Sequence, residues 1–108
     1  AIAPGLGIAA EALFARTAKL PRIELVAPPA AIGRNTVHAM QSGIMFGYIG
    51  LIEGLVKRIK KELGANTRVV ATGGLAHVLA KETAVIETVD DMLTLEGLRL
   101  IYDLNRKR

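Results

Sequence analysis

A cation, an amide and a hydroxyl follow one another in Gly33-Arg34-Asn35-Thr36, at the start of a long stretch with helical spacing. The first turn of a helix offers free backbone N–H groups and the positive end of the helix dipole, which suit an anionic or carbonyl-bearing small ligand. Capping of the helix would explain Asn35 or Thr36, but it does not require Arg34. The sequence therefore predicts a small-ligand site at this helix start.

Two glycine-rich segments are candidates for phosphate or nucleotide binding. Thr72-Gly73-Gly74 lies between a predicted strand and a predicted helix, where backbone amides approach a phosphate or sugar without interference from a Cβ. A tight strand-to-helix turn would need the same glycines, so both interpretations stay open. Gly5-Leu6-Gly7-Ile8-Ala9-Ala10 matches the dinucleotide fingerprint, with Glu24 near the distance expected for a ribose-binding acid. A very short preceding strand and a stiff Pro4 argue against dinucleotide binding.

The two histidines do not suggest a metal site by their spacing. His38 and Gln41 follow Thr36 closely and are candidates for the same pocket, although a lone histidine is more often structural than catalytic. His77 is a similar case on a separate element. Neither histidine has a carboxylate cluster nearby in sequence, and the chain has no cysteine, so we expect no metal site and no disulfide in it.

Thr36 must be positioned by one long helix, predicted over Ile32 to Gly64. Asn35 or Thr36 is the expected N-cap, and Gly64 predicts a left-handed stop. Lysines and an arginine in the last two turns suit the negative end of the helix dipole. Apolar residues recur along the helix at the expected spacing: they are Met40, Ile44, Tyr48, Leu51, Leu55, Ile59 and Leu63.

Four glycines interrupt this helix at steps of four, three and four and form a glycine seam along one side: Gly43, Gly47, Gly50 and Gly54. Each costs about 1 kcal/mol relative to alanine, so close packing must offset the loss. The packing element is either another helix of the same chain or the same helix of a symmetric partner. A membrane span is disfavoured, because the uncharged run from Ser42 to Ile52 is far shorter than the ~20 residues needed.

Shorter elements flank the long helix, and their order predicts an α/β layer arrangement, helix-rich and with an incomplete sheet. Before the long helix, the predicted elements are the tail of a strand at Ile2, a helix over Leu6 to Lys19, and an extended piece over Ile23 to Val26. After it, they are a strand over Arg68 to Ala71, a helix over Leu75 to Lys81, a strand over Val85 to Val89, and a final helix with the stripe Leu95, Leu98, Ile101 and Tyr102.

Composition narrows the function classes. The chain has 108 residues and a net charge of +4, with the excess at Lys57 to Lys61 and at Arg106-Lys107-Arg108. Nucleic-acid binding is disfavoured because the aromatic residues occupy apolar positions and do not interleave with a basic face. The first residues show no signal-peptide pattern and suggest a chain entered in the middle of a fold, and the absence of cysteine suits a reducing cytoplasm.

Six short motifs occur in the order, and at spacings similar to those, of the C-terminal part of the type III pantothenate kinases. They are Ala1-Ile2-Ala3-Pro4-Gly5, Thr17-Ala18-Lys19-Leu20-Pro21, Ile32-Gly33-Arg34-Asn35-Thr36, Gln41-Ser42-Gly43, Ala71-Thr72-Gly73-Gly74 and Leu93-Thr94-Leu95-Glu96-Gly97-Leu98. Each motif is short, but together they are specific. The chain therefore resembles this family over essentially its whole length.

This resemblance implies the second lobe of a duplicated ribonuclease-H-like fold, that of the acetate kinase, sugar kinase, Hsp70 and actin superfamily, in a cytoplasmic homodimer. Residues 1–108 would form a partial C-terminal domain, with the N-terminal lobe absent. The implied activity is phosphorylation of pantothenate by ATP in the first committed step of coenzyme A synthesis. A divalent cation, expected to be magnesium, and a monovalent cation, potassium or ammonium, would be required.

The resemblance also implies where the site residues lie. The phosphate loop, the catalytic aspartate and the cation-binding aspartate belong to the absent lobe, so we expect no catalytic or metal-binding residue here and no activity from this chain alone. Thr36 matches the threonine of a family motif and is expected to reach pantothenate bound mainly by the other subunit. Thr72, Gly73 and Gly74 match the position of the superfamily's adenosine motif.

Two other functions remain as alternatives. The chain could be a non-catalytic helical dimerisation or binding module, and less readily a dinucleotide-binding fragment. In every case we expect no nucleic-acid partner and no membrane.

Overall fold

The computed structural model describes residues 1–16 and 20–106. Helices dominate these residues, and two short strands form a small parallel sheet, so the chain is of the α/β class. In chain order the elements are α1 (Leu6–Arg16), α2 (Thr36–Gln41), a π-helical turn (Ser42–Phe46), α3 (Gly47–Leu63), β1 (Val70–Ala71), α4 (Ala76–Ala80), β2 (Thr88–Val89) and α5 (Leu93–Arg106).

The long helix is continuous, because α2, the π turn and α3 follow one another from Thr36 to Leu63. Asn35 is its N-cap: the side-chain oxygen accepts a hydrogen bond from the backbone N–H of His38 at 2.9 Å. Gly64 ends the helix at φ +120°, a conformation open to glycine, and its N–H donates to the Lys60 carbonyl at 2.8 Å. Both predicted ends are therefore confirmed, with the first helical residue at Thr36 instead of Ile32.

This helix, of 28 residues, is long and apolar enough to cross a membrane by length and composition alone. The expectation that it is too short was wrong, because the run from Ser42 to Ile52 is only part of the uncharged stretch. Length and composition are weak evidence for a membrane span, since core helices of soluble proteins also meet both conditions.

The core face of this helix only partly overlaps the predicted apolar stripe: Met40 is buried, and Ile44 and Tyr48 pack against the core. The buried side chains of the core come from three helices: they are Leu6, Met45, Ile49 and Leu79. Met45 is completely buried, although neither it nor Ile49 belongs to the stripe, whereas Leu63 of the stripe is 71% exposed. The π turn explains the difference, because a π turn holds more residues than an α turn and so shifts the faces of the helix that follows it.

The sheet is as small as the sequence predicts. Val70 pairs with Thr88 and Ala71 with Val89 in parallel register, and α4 forms part of the connection between the two strands. The predicted strands contain these residues but extend further than the observed ones. Two strands of two residues make a poor sheet by themselves, which supports the expectation that the sheet is incomplete.

The segment before the long helix contains no strand among its described residues, so the strand tail expected at Ile2 is not formed, and Ile23 to Val26, expected to be extended, belongs to no sheet. Residues 21–35 form an irregular connector instead, attached to the long helix by side-chain hydrogen bonds. Gln41 Nε2 donates to the Glu24 carbonyl at 3.1 Å, and Ser42 Oγ donates to the Ala31 carbonyl at 2.5 Å. The expected end of the first helix, at residues 17–19, lies outside the described residues.

Candidate functional site

An open apolar groove of about 660 Å³ lies between α1 and the first half of the long helix. Ala9 and Leu13 contribute from α1, and Gly43 and Gly47 lie on the opposite side. Thr36 belongs to the same lining and is exposed, which makes it one of the few side chains there with a hydroxyl group. The structure thus places the predicted ligand residue beside two glycines of the seam.

The loop before Thr36 is fixed closely against the helix. A Cβ at Gly33 would overlap the backbone of Ala39, so only glycine permits this approach. Asn35 supplies the N-cap, and no described residue forms a hydrogen bond with the Thr36 hydroxyl. The sequence left the capping residue open between Asn35 and Thr36, and the structure assigns it to Asn35. The Thr36 hydroxyl is therefore available for a ligand.

Neither His38 nor Gln41 lines this groove, so their predicted place in the pocket is wrong. Gln41 is buried, and its amide is bound to the connector at the Glu24 carbonyl. The Nδ1 atom of His38 lies 3.3 Å from Nδ2 of Asn35, beside the cap. Their place on the helix directs both side chains to the connector, which the sequence pattern alone did not reveal.

A second cleft, of about 590 Å³, brings together the two glycine-rich segments. Gly5-Leu6-Gly7-Ile8 lies on one side and Thr72-Gly73-Gly74 on the other, with Tyr48 and Ile52 of the long helix between them. Gly73 has φ +111°, and its carbonyl accepts from the N–H of Ala76 at 3.2 Å, so this position requires glycine. Sequence analysis treated the segments separately and missed that they share a cleft.

The dinucleotide interpretation loses its structural basis. The fingerprint needs a strand before its first glycine, but the residues preceding α1 form none. Glu24 contributes its backbone carbonyl to Gln41 and does not line the second cleft. The Gly5 to Ala10 segment is therefore a helix start that faces a cleft.

An ion pair joins α1, which lines the first groove, to the connector. Arg22 of the connector donates from Nη1 and Nη2 to the two carboxylate oxygens of Glu11 on α1, at 2.7 and 2.5 Å. These hydrogen bonds lower the pKa of Glu11, and they raise the pKa of Arg22. The Arg22 guanidinium also lies 5.5 Å from the centre of the Phe14 ring. The pair thus holds α1 against the connector.

Histidine and carboxylate side chains do not assemble into a metal centre within residues 1–16 and 20–106. Nε2 of His77 lies 2.9 and 3.0 Å from the two carboxylate oxygens of Asp91, at the surface. No group of three or more potential metal ligands occurs in the described part of the chain. The described residues therefore offer no metal centre built from protein ligands alone.

The glycine seam is open. A Cβ added at any of its four glycines would meet no described atom within 4 Å, apart from its own helix backbone and chain neighbours. Of the two alternatives, close packing of another helix of the same chain is therefore not found among the described residues, although α1 faces Gly43 and Gly47 across the groove. The other alternative, packing of the same helix of a symmetric partner against the seam, stays a prediction.

Comparison with known proteins gives a consistent result. A family model described as type III pantothenate kinase matches residues 1–58. The type III pantothenate kinases of Roseiflexus sp. (strain RS-1) and Moorella thermoacetica are 62% and 60% identical to this chain, over 98% and 97% of its length. The chain spans 42% and 41% of these two relatives. The resemblance drawn from the six motifs is confirmed, and the chain belongs to the type III pantothenate kinase family.

Proposed function

We propose that this chain is the C-terminal portion of an enzyme that phosphorylates pantothenate with ATP, at the first committed step of coenzyme A synthesis. Membership of the family, with 62% identity to one relative over 98% of the chain, is the observation that carries the proposal. Because the chain spans less than half of its relatives, residues 1–108 form a partial second lobe of a ribonuclease-H-like fold, and the first lobe supplies the rest. The small parallel sheet flanked by helices is consistent with such a lobe.

Thr36 binds pantothenate in this proposal. The hydroxyl is exposed at the first groove, and Asn35 already performs the capping that would otherwise explain a threonine here. Most of the other side chains that line the groove are apolar, which suits the methyl and methylene groups of a ligand. The Thr36 hydroxyl adds one hydrogen-bonding group to this surface. The substrate's remaining contacts come from the partner subunit and from the first lobe.

Thr72, Gly73 and Gly74 contact the nucleotide. The second cleft supports this assignment, because it presents glycine-rich backbone from both sides over an apolar floor. Backbone amides at glycine can approach phosphate or ribose oxygens closely, and apolar side chains can pack against an adenine ring. The cleft is the feature that distinguishes a nucleotide role from that of a simple turn.

The enzyme is a homodimer, and the glycine seam is part of its interface. An unoccupied seam leaves an unfavourable helix propensity of about 1 kcal/mol per glycine, which close contact with the partner's helix offsets. Gly43 and Gly47 line the same groove as Thr36, so a partner seated there would lie next to the ligand residue. This arrangement is consistent with pantothenate held mainly by the other subunit.

The divalent cation, magnesium, and the monovalent cation, potassium or ammonium, bind the first lobe. The described residues of this chain contain no group of three or more His, Asp or Glu side chains that could hold a metal ion. When bound, the divalent cation neutralises charge on the transferring phosphoryl group. The enzyme is cytoplasmic and acts without a nucleic-acid or membrane partner; the long helix satisfies a membrane-span criterion by length and composition only.

The test of this function is an activity assay on the complete enzyme and on residues 1–108 separately. With pantothenate, ATP, magnesium and potassium, the complete enzyme should form phosphopantothenate and the isolated chain should form none. Phosphoryl transfer requires a phosphate cradle, a positioned metal and an aspartate that orients the hydroxyl, and this chain supplies no such set. Turnover by the pure chain would show that the active site has been misplaced, and an inactive complete enzyme would refute the function.

A paired substitution tests the role of Thr36 in the complete enzyme. Thr36→Val keeps the shape but leaves a polar group of pantothenate unpaired, which costs about 1 to 3 kcal/mol, or roughly 5- to 150-fold in kcat/KM for pantothenate. The ATP dependence should change far less, and Thr36→Ser should retain most activity. Lower thermal stability with unchanged pantothenate kinetics would instead assign Thr36 a structural role.

A further inference from the structure

The final helix, α5, carries an apolar surface that no described part of the chain covers. None of its residues is buried. Large apolar side chains that are each more than half exposed occur along its length: they are Leu95, Leu98, Leu100, Ile101, Tyr102 and Leu104. With 3.6 residues in each helical turn, these positions cover more than half of the helix circumference. We call this surface the α5 apolar arc.

The remaining polar stripe is narrow: Arg99 in it is paired with two carboxylates, and Arg106 follows in the last turn. Nη2 of Arg99 lies 3.0 Å from Glu96 Oε2, and Nη1 lies 2.9 Å from Asp103 Oδ2. Helices that bind lipid surfaces present a polar face rich in lysine and arginine, whereas the described part of this stripe carries two arginines against the carboxylates of Glu96 and Asp103. An apolar protein surface is therefore a better match to the α5 apolar arc than a charged partner or a membrane.

The α5 helix needs such a surface to be stable. It has 14 residues, and isolated helices of about 12–15 residues are marginal in water. Most helical stability in proteins comes from packing of the apolar face, but α5 buries none of its residues here. Something outside the described residues must therefore supply the packing.

The breadth of the arc favours a folded lobe over a second copy of the helix. Two helices that pack against each other make contact along a narrow stripe of each surface, and this stripe is narrower than the apolar surface exposed on α5. A groove formed by several elements can enclose a wider arc. The relatives are more than twice as long as the part that this chain matches, so the complete enzyme contains a further body of that kind.

We propose that α5 is a docking helix, which packs its apolar arc into the remaining lobe of the complete enzyme and so joins the two lobes. This inference rests on the proposed two-lobed kinase. It assigns the two open surfaces to different partners: the glycine seam faces the second copy, and α5 faces the other lobe.

Hydrogen exchange of the complete enzyme, followed by mass spectrometry over a dilution series, tests the proposal. Amides of residues 96–106 should exchange on the order of 100-fold or more slowly than in a free peptide of the same sequence, because a packed helix exchanges only when it opens. This protection should persist at dilutions that separate the dimer. Leu98→Asp should abolish it, whereas Glu96→Gln, on the polar stripe, should leave it unchanged.

Three outcomes would overturn the proposal. Exchange as fast as in the free peptide would show that nothing covers α5. Protection that falls with dilution as the dimer dissociates would identify the second copy as the partner, and protection that depends on added phosphatidylglycerol vesicles would identify a lipid surface. The dilution and vesicle measurements on the parent protein distinguish these outcomes even if Leu98→Asp does not fold. A kinase assay on the same sample tests the proposed function independently.

Discussion

Substituting alanine or leucine at Gly47 and Gly50 should have opposite effects on the subunit and on the dimer. Within one chain, an added Cβ meets no described atom within 4 Å at either position, apart from its own helix backbone and chain neighbours. Alanine should therefore stabilise the long helix by about 1 kcal/mol at each site, the difference in helix propensity between the two residues. If these glycines were instead packed against another part of the same chain, the added methyl group would clash and alanine would destabilise the subunit.

The dimer should weaken. Extra methyl or methylene groups in a close contact cost about 1–3 kcal/mol, and a two-fold interface brings each substitution in twice. For Gly47→Ala, one such cost would raise the dimer Kd by roughly 5- to 150-fold, because every 1.4 kcal/mol is a factor of ten, and two would raise it by about the square of that factor. Gly47→Leu should weaken the dimer further, since leucine adds more volume to the same contact.

Sedimentation velocity over a concentration series gives the dimer Kd, and denaturant unfolding at low concentration gives the stability of the subunit. Gly7→Ala is the matched control: Gly7 is also helical with open space around its Cβ, but it lies on α1, away from the seam. It should leave the dimer Kd unchanged. A parental Kd for Gly47→Leu would refute the interface, and a destabilised Gly50→Ala subunit would show that the same polypeptide packs into the seam.

Three smaller predictions concern the groove and its surroundings. Asn35→Ala removes the N-cap and should lower the free energy of unfolding by about 0.5–2 kcal/mol in denaturant titrations. Gly33→Ala forces the loop away from Ala39 and should cost about 1–3 kcal/mol; Gly5→Ala, with open space around its Cβ, should cost less. Because the pKa of Glu11 lies below its ordinary value of 4.5 when folded, its pair with Arg22 should stabilise the protein above pH 4.5 and cease to do so as the pH falls through the lowered pKa. The thermal stability of Glu11→Gln should accordingly approach that of the parent protein only in acid.

Local signals in the sequence were enough to predict the ends of the long helix. An asparagine before an apolar periodic stretch and a glycine after a basic turn each act through hydrogen bonds within a few residues, so neighbouring residues determine them. Asn35 and Gly64 behave accordingly. The positions of β1, β2 and α5 were predicted from their apolar patterns, although the strands are shorter than their apolar runs suggested and their pairing is not a local property.

The buried face of the helix could not be predicted in this way. Periodicity assumes one helical geometry throughout, and the π turn over Ser42–Phe46 changes that geometry in the middle of the helix. Met45 and Ile49 consequently reach the core, where Ile44 and Tyr48 of the predicted stripe pack against them, while Leu63 at the end of the stripe is exposed. The shared cleft of the Gly5 and Thr72 segments was missed for a different reason, since residues far apart in sequence meet there only through tertiary packing.

If the proposed dimer and the proposed role of Thr36 hold, substrate binding and dimer formation should be linked. Thr36, Gly43 and Gly47 line one groove, so a partner helix in the seam and a pantothenate bound at Thr36 would be neighbours. A ligand held by both subunits binds the dimer more tightly than the monomer, and it must then strengthen the dimer by the same factor. The glycine substitutions should therefore weaken pantothenate binding although they remove no polar contact to it, and saturating pantothenate should partly restore the dimer. Nucleotide binding in the second cleft, which Gly43 and Gly47 do not line, should be affected less. Equal losses for both substrates would mean that the seam maintains the fold as a whole.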